Sequence, residues 1–229
     1  MFAQPAAPEP VSGEGTVHGE GTVHGEAPYV PPVVTSGAQG VLGEAFSSGP
    51  ALAHTGDIAP VSGKVRVRLP HSDHFVALTE LRTVPFGTLV DATAGRVVVT
   101  AALRGAGTEN GEFFSGEFVM TQNQNGVVTA ALAGGPRSVC TGSTDRDDRI
   151  PAEAARTRSR RKLWANAHGT FTTKGSYAAG AVQGTEWLTE DRCDGTLIRV
   201  TRDKVRVTDL VRHRSFVVRA GHSVFVRTR

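Results

Sequence analysis

Apolar and polar residues alternate in short runs from residue 61 to the end of the chain. In the first run, apolar side chains at positions 65, 67 and 69 alternate with Lys64, Arg66 and Arg68. Successive side chains of a strand point to opposite faces, so this run predicts a half-buried strand. A turn at 70–74, a strand at 75–81 and a buried hairpin arm at 96–103 are predicted next.

The rest of the chain repeats this pattern. Further strand candidates are 112–122, 127–132, 163–166, 169–173, 178–182, 186–190, 197–201, 204–208, 215–219 and 223–227. The 27 glycines and 12 prolines favour short strands separated by turns over long helices. The pattern predicts an all-β fold of many short strands, arranged as a β-roll, a sandwich or a solenoid-like stack, with a flexible N-terminal tail.

Residues 1–60 differ in composition from the remainder. They contain a duplicated Gly-Glu-Gly-Thr-Val-His segment, beginning at Gly13 and Gly19, followed by a Pro- and Val-rich stretch. This composition is typical of a flexible linker or arm, since it offers little apolar surface to offset the entropy of ordering. An alternative is that residues 29–35 add as an edge strand to this domain or to a neighbouring subunit. The β-domain is predicted to span 61–229.

Residues 141–162 interrupt the alternation and predict an exposed insert, with one short helix possible near 152–156. The insert ends in a dense basic run formed by Arg156, Arg158, Arg160, Arg161 and Lys162. Such a run suits contact with a polyanion, although a solvated loop and a protease-sensitive site are alternatives.

The net charge and the hydropathy of the chain argue against two kinds of function, nucleic-acid binding and membrane spanning. The 25 basic residues exceed the 22 acidic residues by only three, so overall charge does not indicate nucleic-acid binding. No stretch approaches the roughly 20 apolar residues that span a bilayer, and the first ten residues lack the features of a secretion signal. We expect no membrane span in this chain and regard nucleic acid as an unlikely partner.

Several motifs between about residues 61 and 229 follow a recognisable order. Gly63-Lys-Val-Arg-Val and Val84-Pro-Phe-Gly-Thr come first; Val182-Gln-Gly-Thr-Glu-Trp, the 191–195 turn, Val205-Arg-Val and Ala220-Gly-His-Ser-Val follow. This order resembles FecR-type domains over about residues 61–229. The resemblance implies an extracytoplasmic, noncatalytic β-domain that touches other proteins. The anti-sigma segment and membrane helix that FecR regulators carry before this domain are not visible here.

The chain has two cysteines, Cys140 and Cys193, and Cys193 lies in a polar turn. Buried structural thiols usually lie in apolar strands, so a disulfide is the favoured interpretation; two unpaired thiols in a reducing compartment are the alternative. A bridge closing this loop would stabilise the fold by roughly 4 kcal/mol in the chain-entropy model.

No catalytic, cofactor-binding or metal-binding constellation is evident. His71 and His74 flank a surface turn, and Asp145, Asp147 and Asp148 are interleaved with arginines in the insert. We therefore expect a noncatalytic extracytoplasmic module for protein interaction, assembly or cell-surface scaffolding, with a protein partner or self-association and without a specific small-molecule ligand or cofactor. The alternative is a regulatory sensor domain of a transmembrane, anti-sigma type signalling system.

Overall fold

The computed structural model describes residues 49–135, 140, 158–182 and 185–228. Within these residues it contains strands and no α-helix, so the predicted all-β fold is confirmed. Residues 1–48 of the predicted flexible tail, which include the alternative edge strand at 29–35, lie outside the described residues, and so does the short helix predicted near 152–156.

The strands are numbered in chain order. They are β1 (Thr55–Arg68), β2 (Val76–Ala77), β3 (Arg82–Pro85), β4 (Leu89–Ala102), β5 (Thr108–Phe114), β6 (Glu117–Gln122), β7 (Val128–Ala133), β8 (Ser159–Ala167), β9 (Phe171–Lys174), β10 (Ala178–Val182), β11 (Thr185–Arg192), β12 (Gly195–Arg202), β13 (Lys204–Asp209), β14 (Arg214–Arg219) and β15 (Ser223–Arg227).

All of these strands belong to one rolled sheet. Twelve of them follow the order β14-β13-β10-β9-β7-β6-β4-β5-β8-β11-β12-β15, and β1 pairs with β4, β2 and β3 outside this path. Among the described pairs, β7 and β9 are parallel and the others are antiparallel. The predicted alternatives are a β-roll, a sandwich and a solenoid-like stack, and this single rolled sheet corresponds to the β-roll.

The first corner of the roll lies where β5 passes into β6. β4 pairs with β6 through Leu89–Asp91 and with β5 through Arg96–Ala102, so one long strand serves both layers. At the bend, the Ala92 amide donates to the Gly116 carbonyl, and the Ser115 amide donates to the Ala92 carbonyl. Strands that switch layers through such bends keep their ladder bonds while the sheet changes direction.

The second corner lies where β12 passes into β13 and β14 passes into β15. Asp203 has a φ of 57° and Gly221 a φ of 78°, which bends both strands at the same level. The Ala220 amide donates to the Asp203 carbonyl, and the Gly221 amide donates to the Val200 carbonyl. The two ends of the sheet are therefore joined through bent strands, and the roll nearly closes on itself.

Trp187 of β11 fills the interior and is fully buried. Its indole Nε1 donates to Thr173 Oγ1 on β9 at 2.7 Å, and Thr173 Oγ1 lies 2.6 Å from Thr189 Oγ1. Gly180 of β10 leaves the room that the indole needs, because a Cβ there would lie 3.2 Å from Nε1. The polar end of a buried tryptophan is thus satisfied across the core.

Some predicted boundaries are wrong. The first strand begins at Thr55, before the predicted domain start at residue 61, because residues 55–58 pair with β3. The single strand predicted at 112–122 is divided at the first corner. Within the predicted insert, residues 159–162 belong to β8, because they pair with β11 despite their dense positive charge.

Candidate functional site

Asp191 is the most heavily bonded side chain at one end of the roll. Its carboxylate is fully buried and accepts hydrogen bonds from Arg161 Nε at 2.8 Å and from Thr196 Oγ1 at 2.5 Å. The Ser176 amide and hydroxyl each donate to it at 2.8 Å. A buried charge that is paired and fully hydrogen-bonded holds its neighbours in one arrangement. This polar cluster ties β8, β11 and β12 to the turn between β9 and β10.

The predicted disulfide lies next to this cluster. Cys140 and Cys193 are bonded at an S–S distance of 2.05 Å, with their Cα atoms 5.2 Å apart. Cys193 occupies the turn between β11 and β12, as the sequence indicates. A disulfide at this place fits an oxidising environment.

The fold places the described residues of the predicted polyanion contact in different environments. Arg156 lies outside the described residues, whereas Arg158 and Lys162 are exposed. Arg161 is turned inward to Asp191, and its side chain is 23% exposed. Nε of Arg160 is buried without a hydrogen-bond partner in the part of the chain that the structure describes. The run therefore does not form one continuous cationic surface.

A polar cavity of about 520 Å³ opens beside the disulfide. Its described lining consists of Gly134, Gly135, Cys140, Arg160, Arg161 and Ser176. The structure thus brings together one predicted cysteine and two cations of the predicted basic run. Sequence reasoning missed Asp191, whose carboxylate holds the side chains around this cavity in place. The sequence signal that could have found it is an acidic residue at a position where the strand alternation predicts an inward side chain.

Asp91 and Glu117 are directly opposed on β4 and β6 at the first corner. Burial alone would raise the pKa of Asp91, but hydrogen bonds from Thr93 and Arg66 lower it to below the usual 3.8. Burial, followed by repulsion from Asp91, raises the pKa of Glu117 above 4.5. A pair of carboxyl groups with divergent pKa values is a typical feature of sites that carry out acid–base catalysis. Here the Asp91 carboxylate already accepts hydrogen bonds from Arg66 and Thr93, which indicates a structural role in stabilising the bend at the first corner.

The exposed apolar side chains are concentrated at one edge of the sheet. Of the six large hydrophobic residues that the structure finds exposed within its described ranges, five lie between positions 61 and 81. They are Val61 (52%), Leu69 (44%), Phe75 (38%), Val76 (52%) and Leu81 (54%). We call this set, with β2 and the adjoining part of β1, the docking edge.

The backbone at the docking edge is open on one side. β2 pairs with β1 through Val76 and Ala77, and has no strand on its other side among the described residues. The guanidinium groups of Arg66 and Arg68 lie 5.1 and 5.5 Å from the centre of the Phe75 ring. Two cations thus lie beside an exposed aromatic ring and a strand that is open on one side. Sequence reasoning predicted these strands but not their exposure.

The other candidates from the sequence carry no site. His71 and His74 lie in an exposed turn, and no group of three or more His, Cys, Asp or Glu in the described ranges could hold a metal ion. Asp145, Asp147 and Asp148 lie outside the described residues. No helix in the described part of the chain is long and apolar enough to cross a bilayer.

Comparison of the chain with protein-family models, with curated proteins and with solved structures gives no match. The resemblance to FecR-type domains therefore stays a prediction. The function has to be argued from the surfaces of the molecule itself.

Asp191→Asn tests whether the buried carboxylate holds this end of the roll together. The variant removes a buried charge that faces Arg161, and breaking such a pair costs about 3 kcal/mol. We expect the free energy of unfolding, measured in urea, to fall by that amount. Asp203→Asn, at an exposed acid, is the matched control and should leave the midpoint nearly unchanged. Equal midpoints for both variants would contradict the structural role of Asp191.

The stability contributed by Asp91 should depend on pH. Because the folded-state pKa is lowered, this contribution is present above 3.8 and is lost as the pH falls through the folded-state value. We expect the wild-type free energy of unfolding to fall more steeply than that of Asp91→Asn as the pH drops below 3.8. Asp73→Asn, at an exposed site, should keep the wild-type slope. Parallel curves for the wild type and Asp91→Asn would contradict the assignment.

Proposed function

We propose that this chain is a noncatalytic, extracytoplasmic interaction module that binds an extended segment of a partner protein at the docking edge. The observation that carries the proposal is the concentration of exposed apolar side chains beside β2, whose outer edge has no partner strand among the described residues. Exposed apolar patches of this kind mark interaction surfaces, and open strand edges accept a further strand from a partner.

Strand addition explains how such a partner would be held. The free N–H and C=O groups of β2 supply main-chain hydrogen bonds, and alternate side chains of the partner supply specificity. Val76 and Phe75 offer apolar contacts, and Lys64 and Arg68 project from the neighbouring strand, where Arg66 is already paired with Asp91. This charge distribution favours an extended segment in which apolar residues alternate with carboxylates.

The compartment and the absence of a catalytic role are part of the same proposal. The disulfide supports an oxidising location, and the resemblance to FecR-type domains supports a role in protein contact. The sensor-domain alternative has no observation of its own to favour it over an assembly or scaffolding role.

A displayed library of random peptides, selected on the full chain, tests the docking edge. We expect the selected peptides to alternate apolar and acidic residues and to lose at least about tenfold in affinity for Val76→Glu, which places a like charge beside the acidic peptide. Val217→Glu is the matched control, because Val217 is 46% exposed on a different strand. Peptides that bind Val76→Glu as tightly as the wild type would place the contact elsewhere and overturn the proposal.

Thiol counting in the native source tests the compartment. Denatured, unreduced protein is treated with an alkylating tag and its intact mass is measured. We expect no tag on Cys140 or Cys193, since both are bonded to each other. Two tags would indicate a reducing compartment and would sink the extracytoplasmic part of the proposal.

A further inference from the structure

Positive charge is concentrated on the surface of the last four strands. Between residues 195 and 228, eight Lys and Arg residues are exposed, whereas Asp203 is the one exposed acid of this described stretch. In addition, all 25 basic residues of the chain follow residue 48, while five of the 22 acidic residues precede it. The β-domain is thus more basic than the net charge of +3 suggests.

Strand register brings part of this charge to one outward face. Lys204 and Arg206 alternate with the buried Val205 and Val207 on β13, and Arg219 lies opposite Lys204 on β14. On the other side of β10, Lys174 projects outward from β9. We call Lys174, Lys204, Arg206 and Arg219, with the small residues between them, the cationic shelf.

Between its cations, the cationic shelf is lined by the small side chains of alanines and threonines, which we call its floor. Ala179 and Ala181 face outward on β10, with Thr172 and Thr208 on the strands to either side. Thr208 Oγ1 lies 2.9 Å from Ser215 Oγ, so hydroxyls continue onto β14. β9 and β13 are two strand spacings apart, about 10 Å, with alanine and threonine between them. The register places Lys174 level with Thr208, so Lys174 is displaced along the strands from Arg206 and Lys204.

Among the residues that the structure describes, the cations of the shelf have no acidic partner. Lys204, Arg206 and Arg219 make no ion pair within the described residues, although Arg212 and Arg214 nearby both pair with Asp209. Lys204 and Arg219 are directly opposed on neighbouring strands. Like charges at directly opposed positions destabilise a sheet, so an anion bound between them would relieve a cost that the fold retains.

We infer that the cationic shelf binds a linear anionic polysaccharide. Carboxylate or sulfate groups along such a chain pair with Lys and Arg at the sides, and sugar hydroxyls exchange hydrogen bonds with the threonines of the floor. No aromatic side chain faces outward from β9, β10 or β13, so single-stranded nucleic acid lacks a stacking platform there. Val217 is the one exposed large hydrophobic residue on β14 within the described chain, which gives little apolar area for a bilayer.

Binding of the full chain to immobilised polygalacturonate tests this inference, with neutral dextran as the uncharged comparison. The shelf variant is Arg206→Glu/Arg219→Glu. Arg158→Glu/Lys162→Glu changes the net charge equally and reverses the exposed part of the basic run that the sequence singled out. Arg206→Gln/Arg219→Gln removes the charge without reversing it, and thermal unfolding checks that each variant is folded.

We expect wild-type protein to bind polygalacturonate, to ignore dextran and to weaken between about 50 and 200 mM salt. The shelf variant should lose at least about tenfold in affinity, the glutamine variant should lose less, and the control should stay near wild type. Equal loss in the control would show that charge alone, or the basic run, is responsible. Tighter binding to duplex DNA or to phosphatidylglycerol vesicles than to polygalacturonate would overturn the assignment to a polysaccharide.

Discussion

The sheet has to turn two corners without leaving buried backbone groups unpaired. At the first corner, Ala92 exchanges hydrogen bonds with Ser115 and Gly116; at the second, Val200 and Asp203 bond to Ala220, Gly221 and His222. An unpaired buried amide or carbonyl costs about as much as a lost hydrogen bond, so these contacts decide whether the roll can close. Because these hydrogen bonds allow the roll to close, they also decide which face of the sheet becomes its interior.

The polar interior groups follow from that closure. Once the layers face one another, Thr173 can accept a hydrogen bond from the indole of Trp187, and Asp191 can accept from donors on two other strands and a turn. The Trp187 indole bonds to Thr173, and Asp191 accepts from Arg161 and Ser176, all on elements distant in sequence. The interior is therefore fixed by specific hydrogen bonds as well as by apolar burial, and the interaction chemistry is left to the outer surfaces.

Two outer surfaces differ in what they offer. The docking edge combines exposed apolar side chains with open backbone groups, which suits an extended polypeptide. The cationic shelf carries Lys and Arg side chains that form no ion pair within the described residues, which suits charge recognition. The two surfaces lie on different strands of the sheet.

Much of the strand pattern could be predicted because period-two alternation is local. Val65 and Val67 are buried between exposed cations as the alternation predicts, and the turn position of Cys193 also follows from the sequence. The division of the 112–122 segment at Ser115–Gly116 could not be predicted, because the bend is set by pairing with β4 and β8. Residues 159–162 look like loop by charge and become strand because β11 is available to pair with them.

The sequence by itself determined the all-β class, most strand positions and the two cysteines that bond. Each of these follows from side chains close together along the chain or from a residue type that occurs only twice. The tertiary structure alone decided that Arg161 turns inward to Asp191, that Phe75 and Val76 remain exposed, and that Lys204 meets Arg219. These outcomes depend on which strands become neighbours, and neighbours are chosen by closure of the whole sheet.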